Sequence, residues 1–225
     1  MDLLREPRGH RDSASLLVQR SRLADDHVAS LNELARQIES ATDYPVPRFD
    51  PSGGGVHARA LVVLESPGPA STEQQGSGII SPHNDDPTAA RVHGLLTGHC
   101  IPFDMVTFWN IVPWWLPSVG STGSFRAPRA SDIDAAAPWL EQVLALLPDI
   151  RIVMTLGRSA QRGLVRYARR HELPYIIIAS PHPGQRAWSR PPLRSATDEA
   201  FAALAEFLRY STVPTPQNLD YWPSD

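Results

Sequence analysis

Four short segments hold residue types that can do chemistry together. They are Glu65-Ser66-Pro67-Gly68, Trp109-Asn110-Ile111-Val112-Pro113, Leu156-Gly157-Arg158-Ser159 and Ser180-Pro181-His182-Pro183-Gly184. Between them they offer one carboxylate, one carboxamide, one imidazole and a stiff Pro-Gly turn. A carboxylate orients water and stabilises developing positive charge. A carboxamide presents a donor and an acceptor side by side. An imidazole donates to a group that gains negative charge. Each residue also has a plainer use. Glu65 suits a solvated strand end, Asn110 an Asx turn before Pro113, and His182 a loop between prolines. Asp85 and Asp86 suit helix capping, with water activation as their alternative use.

The elements that must position these residues are legible from periodicity. Leu61–Leu64 is continuously apolar, as in a parallel strand buried on both faces. Further strands are predicted at Asp104–Trp109, Arg151–Leu156 and Pro174–Ala179. Asp86-Pro87 reads as an N-cap and a first-turn proline opening a helix towards Gly98. Ser131–Asp134 and Ser195–Asp198 have capping-box spacing. Pro138 predicts a kink or a later helix start. Gly157 leads into a helix of about 14 residues. Ser13–Ser40 carries the apolar spacing of one or two amphipathic helices. The order predicts a three-layer α/β/α sandwich with a central, mostly parallel four-stranded sheet. The expected organisation is a helical extension and Pro/Gly linker over 1–55, the α/β domain over 56–211, and a loose proline-rich tail over 212–225.

Composition narrows the function. The chain has 225 residues, a net charge of −3, 22 prolines and one cysteine, Cys100. A single cysteine excludes an internal disulfide and a multi-cysteine metal or iron–sulfur site. His83, His93, His99 and Cys100 match no common zinc spacing, so neither metal nor cofactor is expected. No apolar run is long enough to span a membrane and no secretory leader is visible, which makes a cytoplasmic monomer the expectation. All 21 basic side chains are arginine. Lysine Schiff-base chemistry is therefore closed to this chain. Binding of nucleic acid would rest on a local basic patch rather than a global field.

The segments resemble motifs of the uracil-DNA glycosylase superfamily over about Leu61 to Leu208. VVLESPGP is similar to the first family motif, TFWNIVPW to the strand ending in the base-reading asparagine, and IVMTLGRSAQRGL to the structural strand-Leu-Gly-helix element. SPHPG resembles the His-Pro-Ser motif with Gly184 in place of serine. The four cysteines of the iron–sulfur branches are missing. The resemblance implies a monofunctional DNA glycosylase acting on a flipped uracil or related deaminated base. Glu65 would orient water, Asn110 would read the base, and His182 would stabilise the leaving base. Ser66, Pro67 and Gly68 would line the base pocket and His83 would stack on the base. Arg186, Trp188 and Arg190 would contact DNA. Asp86-Pro87-Thr88 is similar to an Asp-x-Ser pattern of one branch, which makes Asp85 and Asp86 the alternative water activators. Two other readings follow: a superfamily member acting on hypoxanthine, xanthine or mismatched thymine, and a lesion-binding protein of the same fold without catalysis.

Overall fold

The computed structural model describes residues 6–117 and 126–210; the expected tail over 212–225 lies outside them. Its elements in chain order are α1 (Ser13–Ser21), α2 (Asp26–Thr42), β1 (Arg48–Phe49), β2 (Ala60–Leu64), β3 (Ile79–Ile80), α3 (Pro87–Gly98), β4 (Val106–Asn110), α4 (Ala130–Ala145), β5 (Ile152–Leu156), α5 (Arg158–Ala168), β6 (Ile176–Ser180), α6 (Gln185–Trp188) and α7 (Pro191–Tyr210). No helix among the described residues is long and apolar enough to cross a membrane.

The main sheet has the order β4-β2-β5-β6 and every pairing in it is parallel. From β2 the chain moves one way through α3 to β4. It then crosses back through α4 to β5, and continues through α5 to β6. Right-handed crossovers put α3 on one face and α4 and α5 on the other. The contacts agree: α4 packs with α5 and α2, whereas α3 packs with α7. The three-layer α/β/α arrangement follows. β2 and β5 bury nearly every residue, as central parallel strands do.

Helix ends differ from expectation at three places. α4 starts at Ala130, and Asp132 rather than Asp134 supplies the acidic cap, accepting from the Arg129 N–H at 2.7 Å. Pro138 lies within α4, on its exposed side, where water can satisfy the carbonyl left without a partner. α7 starts at Pro191, because prolines in a first turn lose no helical bond. Ser195 therefore sits inside α7 and donates to Glu199 at 3.0 Å. α5 is also shorter than expected, at 11 residues.

The segment expected as a Pro/Gly linker carries β1, which pairs in parallel with β3. Phe49 is fully buried and stacks on Trp109 of β4 at 5.1 Å. The Asn32 side chain of α2 accepts from the Phe49 N–H at 2.7 Å. Val28, Leu31 and Ile38 of α2 are fully buried in the same apolar cluster as the sheet.

A second set of contacts ties residues 8–20 to the loop over 76–86. Arg20 donates to the Ser77 carbonyl, and Arg11 donates from Nε and Nη2 to the two Asp85 carboxylate oxygens at 3.0 and 2.9 Å. His10 Nδ1 donates to Asn84 Oδ1 at 3.0 Å. His83 lies buried beside His10, His93 and Phe103, with ring centroids 5.1–5.9 Å away. Burial pushes the His83 imidazole down to about 4; Asp50 opposes this, while His93 and His10 add to it. The unfolded chain thus takes up the proton near pH 6.5, before the folded one does. The resulting stabilisation is complete above pH 6.5 and is lost as pH falls towards 4, by on the order of 3 kcal/mol. Denaturant unfolding from pH 7 to 4.5 should show this loss, and His83→Gln should flatten it.

Candidate active site

All four sheet strands end at one edge. The first crossover leaves β2 in one direction and the third leaves β5 in the other, so a crevice opens beyond their carboxyl ends. Glu65 follows β2, Asn110 closes β4, Gly157 follows β5 and Ser180 closes β6. The β2–β4 ladder continues past the strands, since Ile111 N–H donates to the Leu64 carbonyl and Val112 N–H to the Glu65 carbonyl. The Glu65 and Asn110 loops are thereby fixed to each other. No Asx turn forms at Asn110, because the Val112 N–H is already engaged.

A cavity of about 410 Å³ occupies the crevice. Glu65, Ser66, Pro67 and Gly68 line one side, and Asn110 and His182 also open onto it. The opposite wall comes from the tied loop and α3: Ile80, Pro82, Asn84, Asp86 and Val92. Neither the Glu65 carboxylate nor the Asn110 carboxamide hydrogen-bonds to another described residue. Asn110 is nevertheless 97% buried, with 3% exposure.

His182 is held from two directions. Its Nδ1 accepts the Gly184 N–H at 2.9 Å. The neutral ring therefore carries its proton on Nε2. Burial pushes the His182 imidazole below its ordinary value, while the charges of Glu65 and Asp86 pull it up. Gly157 abuts the ring from β5 with φ +94°, and a Cβ there would stand 2.8 Å from the His182 Cβ.

Asp86 caps α3 through Oδ1, which accepts from the Thr88 and Ala89 N–H groups at 2.8 and 2.9 Å. It also lines the cavity. Asp85 does not line it; its carboxyl is held below the usual range by Arg11 and faces solvent. His83 is turned away from the cavity into the histidine cluster. Arg186 and Arg190 are exposed on and just after α6, outside the cavity, and Trp188 is half-buried against the core. Phe108 was not among the expected site residues, yet it lines the cavity. The signal lay in strand alternation, since Phe108 is two residues before Asn110 and shares its face.

The model of the uracil DNA glycosylase superfamily matches residues 51–209. The chain belongs to this superfamily. Its members are DNA glycosylases and bind DNA. Among solved structures, wild-type SMUG2 of Pedobacter heparinus is similar at 12% identity and a TM-score of 0.49, over 68% of this chain and 75% of that one. A search of the curated proteins finds no match.

Gly157 offers a direct test of the superfamily chain's local geometry. Its φ and ψ of 94° and 169° fall where only glycine is at ease. Gly157→Ala should cost about 1–3 kcal/mol in denaturant unfolding. Because the new methyl would press on His182, the histidine's NMR resonances should also move.

Proposed function

We propose that this superfamily member is a monofunctional DNA glycosylase that hydrolyses the N-glycosidic bond of uracil, or a related deaminated base, in DNA. One observation carries the reading. Glu65, Asn110 and His182 open onto one cavity, and each keeps a functional edge without a hydrogen-bond partner among the described residues.

The target base enters the cavity flipped from the stack. Asn110 donates to O4 of uracil and accepts from N3–H; cytosine presents the opposite pattern. His182 donates from Nε2 to the carbonyl oxygen that gains charge as the base leaves. Glu65 orients a water for the sugar carbon and faces its oxocarbenium charge. Asp86 is the second candidate for that role, and its capping bonds make it the more constrained of the two. Ser66, Pro67 and Gly68 line the base pocket. Arg186 and Arg190 reach phosphates, whereas Trp188, expected to fill the gap in the stack, packs against the core under Arg91. With no lysine, water is the nucleophile and the abasic product stays unbroken.

The other superfamily reading also has an observation in its favour. A cavity of about 410 Å³ lies within the range that holds whole small ligands, so its size alone admits a purine such as hypoxanthine or xanthine. Base release from oligonucleotides carrying uracil, hypoxanthine, xanthine or mismatched thymine separates the readings, and no release from any of them leaves the non-catalytic one.

Single-turnover rates at saturating enzyme test the roles. His182→Ala should slow release about 100- to 1000-fold, as loss of a donor to a developing anion does. Asn110→Asp should abolish uracil release, because an acceptor then faces O4. Near-wild-type turnover by either variant would move the pocket elsewhere.

Asp86→Ser keeps a capping oxygen and removes the charge. Retained base release in that variant, with loss in Glu65→Gln, is the expected pair of results. Borohydride should trap no side-chain adduct with the abasic product.

A further inference from the structure

The peptide group that holds His182 is itself held by an arginine. The Gly184 N–H that donates to His182 Nδ1 belongs to the same planar unit as the Pro183 carbonyl. This peptide is trans, so the two groups point in opposite directions. On the far side Arg91 Nη1 donates to the Pro183 carbonyl at 2.9 Å. Arg91 also donates from Nη2 to Gln185 Oε1, and its guanidinium stands over the Trp188 ring at 5.5 Å. It projects from α3, five residues after the Asp86 cap. It does not line the cavity.

We propose that Arg91 is a positioning residue for His182, acting through the Pro183–Gly184 peptide to fix which ring nitrogen carries the proton and where that proton points. The inference rests on the reading of His182 as the donor to the departing base. A cation at a carbonyl oxygen draws density across the peptide and makes its N–H a stronger donor. A stronger donor at Nδ1 favours the neutral ring, because a protonated ring would have to turn a second N–H towards it. The charges facing His182 itself are Glu65 at the end of β2 and Asp86 at the head of α3; both favour protonation. Arg91 opposes them without entering the cavity. Gly184 makes the relay short, since a Cβ there would stand 2.8 Å from His182 Nδ1.

The test uses the full chain. NMR titration of His182 is compared in wild type, Arg91→Met, Arg91→Lys and Gln185→Ala, alongside single-turnover base release. The His182 midpoint should move upward in Arg91→Met, return part of the way in Arg91→Lys, and stay at the wild-type position in Gln185→Ala. Release by Arg91→Met should slow about tenfold, short of the loss of the donor itself, with the Kd for DNA changing far less than the rate. An unchanged midpoint in Arg91→Met overturns the proposal. So does an equal shift in Gln185→Ala, which would mark general loosening of the loop. If Arg91→Met does not fold, Arg91→Gln carries the comparison. The two readings fail separately: no uracil release by wild type alongside a moving midpoint removes the substrate, whereas release with a fixed midpoint removes the relay.

Discussion

The site depends on β2 lying between two parallel neighbours with both faces covered. Ala60, Leu61, Val62 and Val63 are fully buried. Full burial of a large aliphatic side chain is worth roughly 1.5–3 kcal/mol. That gain holds only in the observed register, since a slip by one residue would exchange the two faces. The register sets Leu64 opposite Asn110, and so sets where Glu65 emerges relative to the carboxamide. Gly157 then reaches the same edge from the far side of β2, and His182 packs on it. Apolar burial in the sheet thus fixes polar groups that contribute little to it.

The opposite wall is built by other means. Between β2 and α3 the only strand is the two-residue β3. The Asn84 side chain organises the rest, with Oδ1 accepting from Ser77 and His10 and Nδ2 donating to the Ile79 carbonyl. Each such bond is worth about 0.5–1.5 kcal/mol net, and the exposed Arg11–Asp85 pair adds less. α1, next to this strap, buries only Gln19. With so little apolar burial α1 opens at lower free energy than the sheet, whereas Ile80 and Val92 of the wall itself pack in the main apolar cluster. The cavity therefore joins a wall set by strand register, which carries the polar groups, to a wall whose loop is held largely by side-chain hydrogen bonds.

Sequence legibility follows the same division. β2 was readable because both-face burial leaves an unbroken apolar run, β4 and β5 because theirs is broken only by a threonine, and β6 because its isoleucines keep the run although Ile176 and Ile177 are exposed. The α3 cap was readable because Asp-Pro is a local signal. β1 and β3 were not, since two residues have no period and their pairing joins segments 31 positions apart. The Ser195 cap misled because the two prolines before it start the helix earlier. In the site, Glu65, Asn110 and His182 were picked out by lying at strand ends, and the structure brings them to one cavity. His83 was offered as the residue that stacks on the base, but its ring turns into the histidine cluster. Nothing local announced Arg91, because its partners lie more than ninety residues on.

Asn110 shows how such a site divides stability from selection. A carboxamide without a partner among the described residues has a donor and an acceptor to offer whatever enters the cavity. Asn110 keeps that capacity open towards the cavity, while the Ile111 and Val112 N–H groups after it donate to the Leu64 and Glu65 carbonyls of the β2 side. A base whose edge matches then satisfies one donor and one acceptor together. A base with the reversed pattern leaves both unsatisfied, and unpaired buried polar groups reject a ligand far more strongly than a missing apolar contact does. Under the proposed function, discrimination between uracil and cytosine belongs to the wall that carries this amide. Discrimination by size belongs to the opposite, apolar wall of Ile80, Pro82 and Val92. Substitutions on the two walls should therefore change substrate range in different ways: hydrogen-bonding pattern on one, bulk on the other.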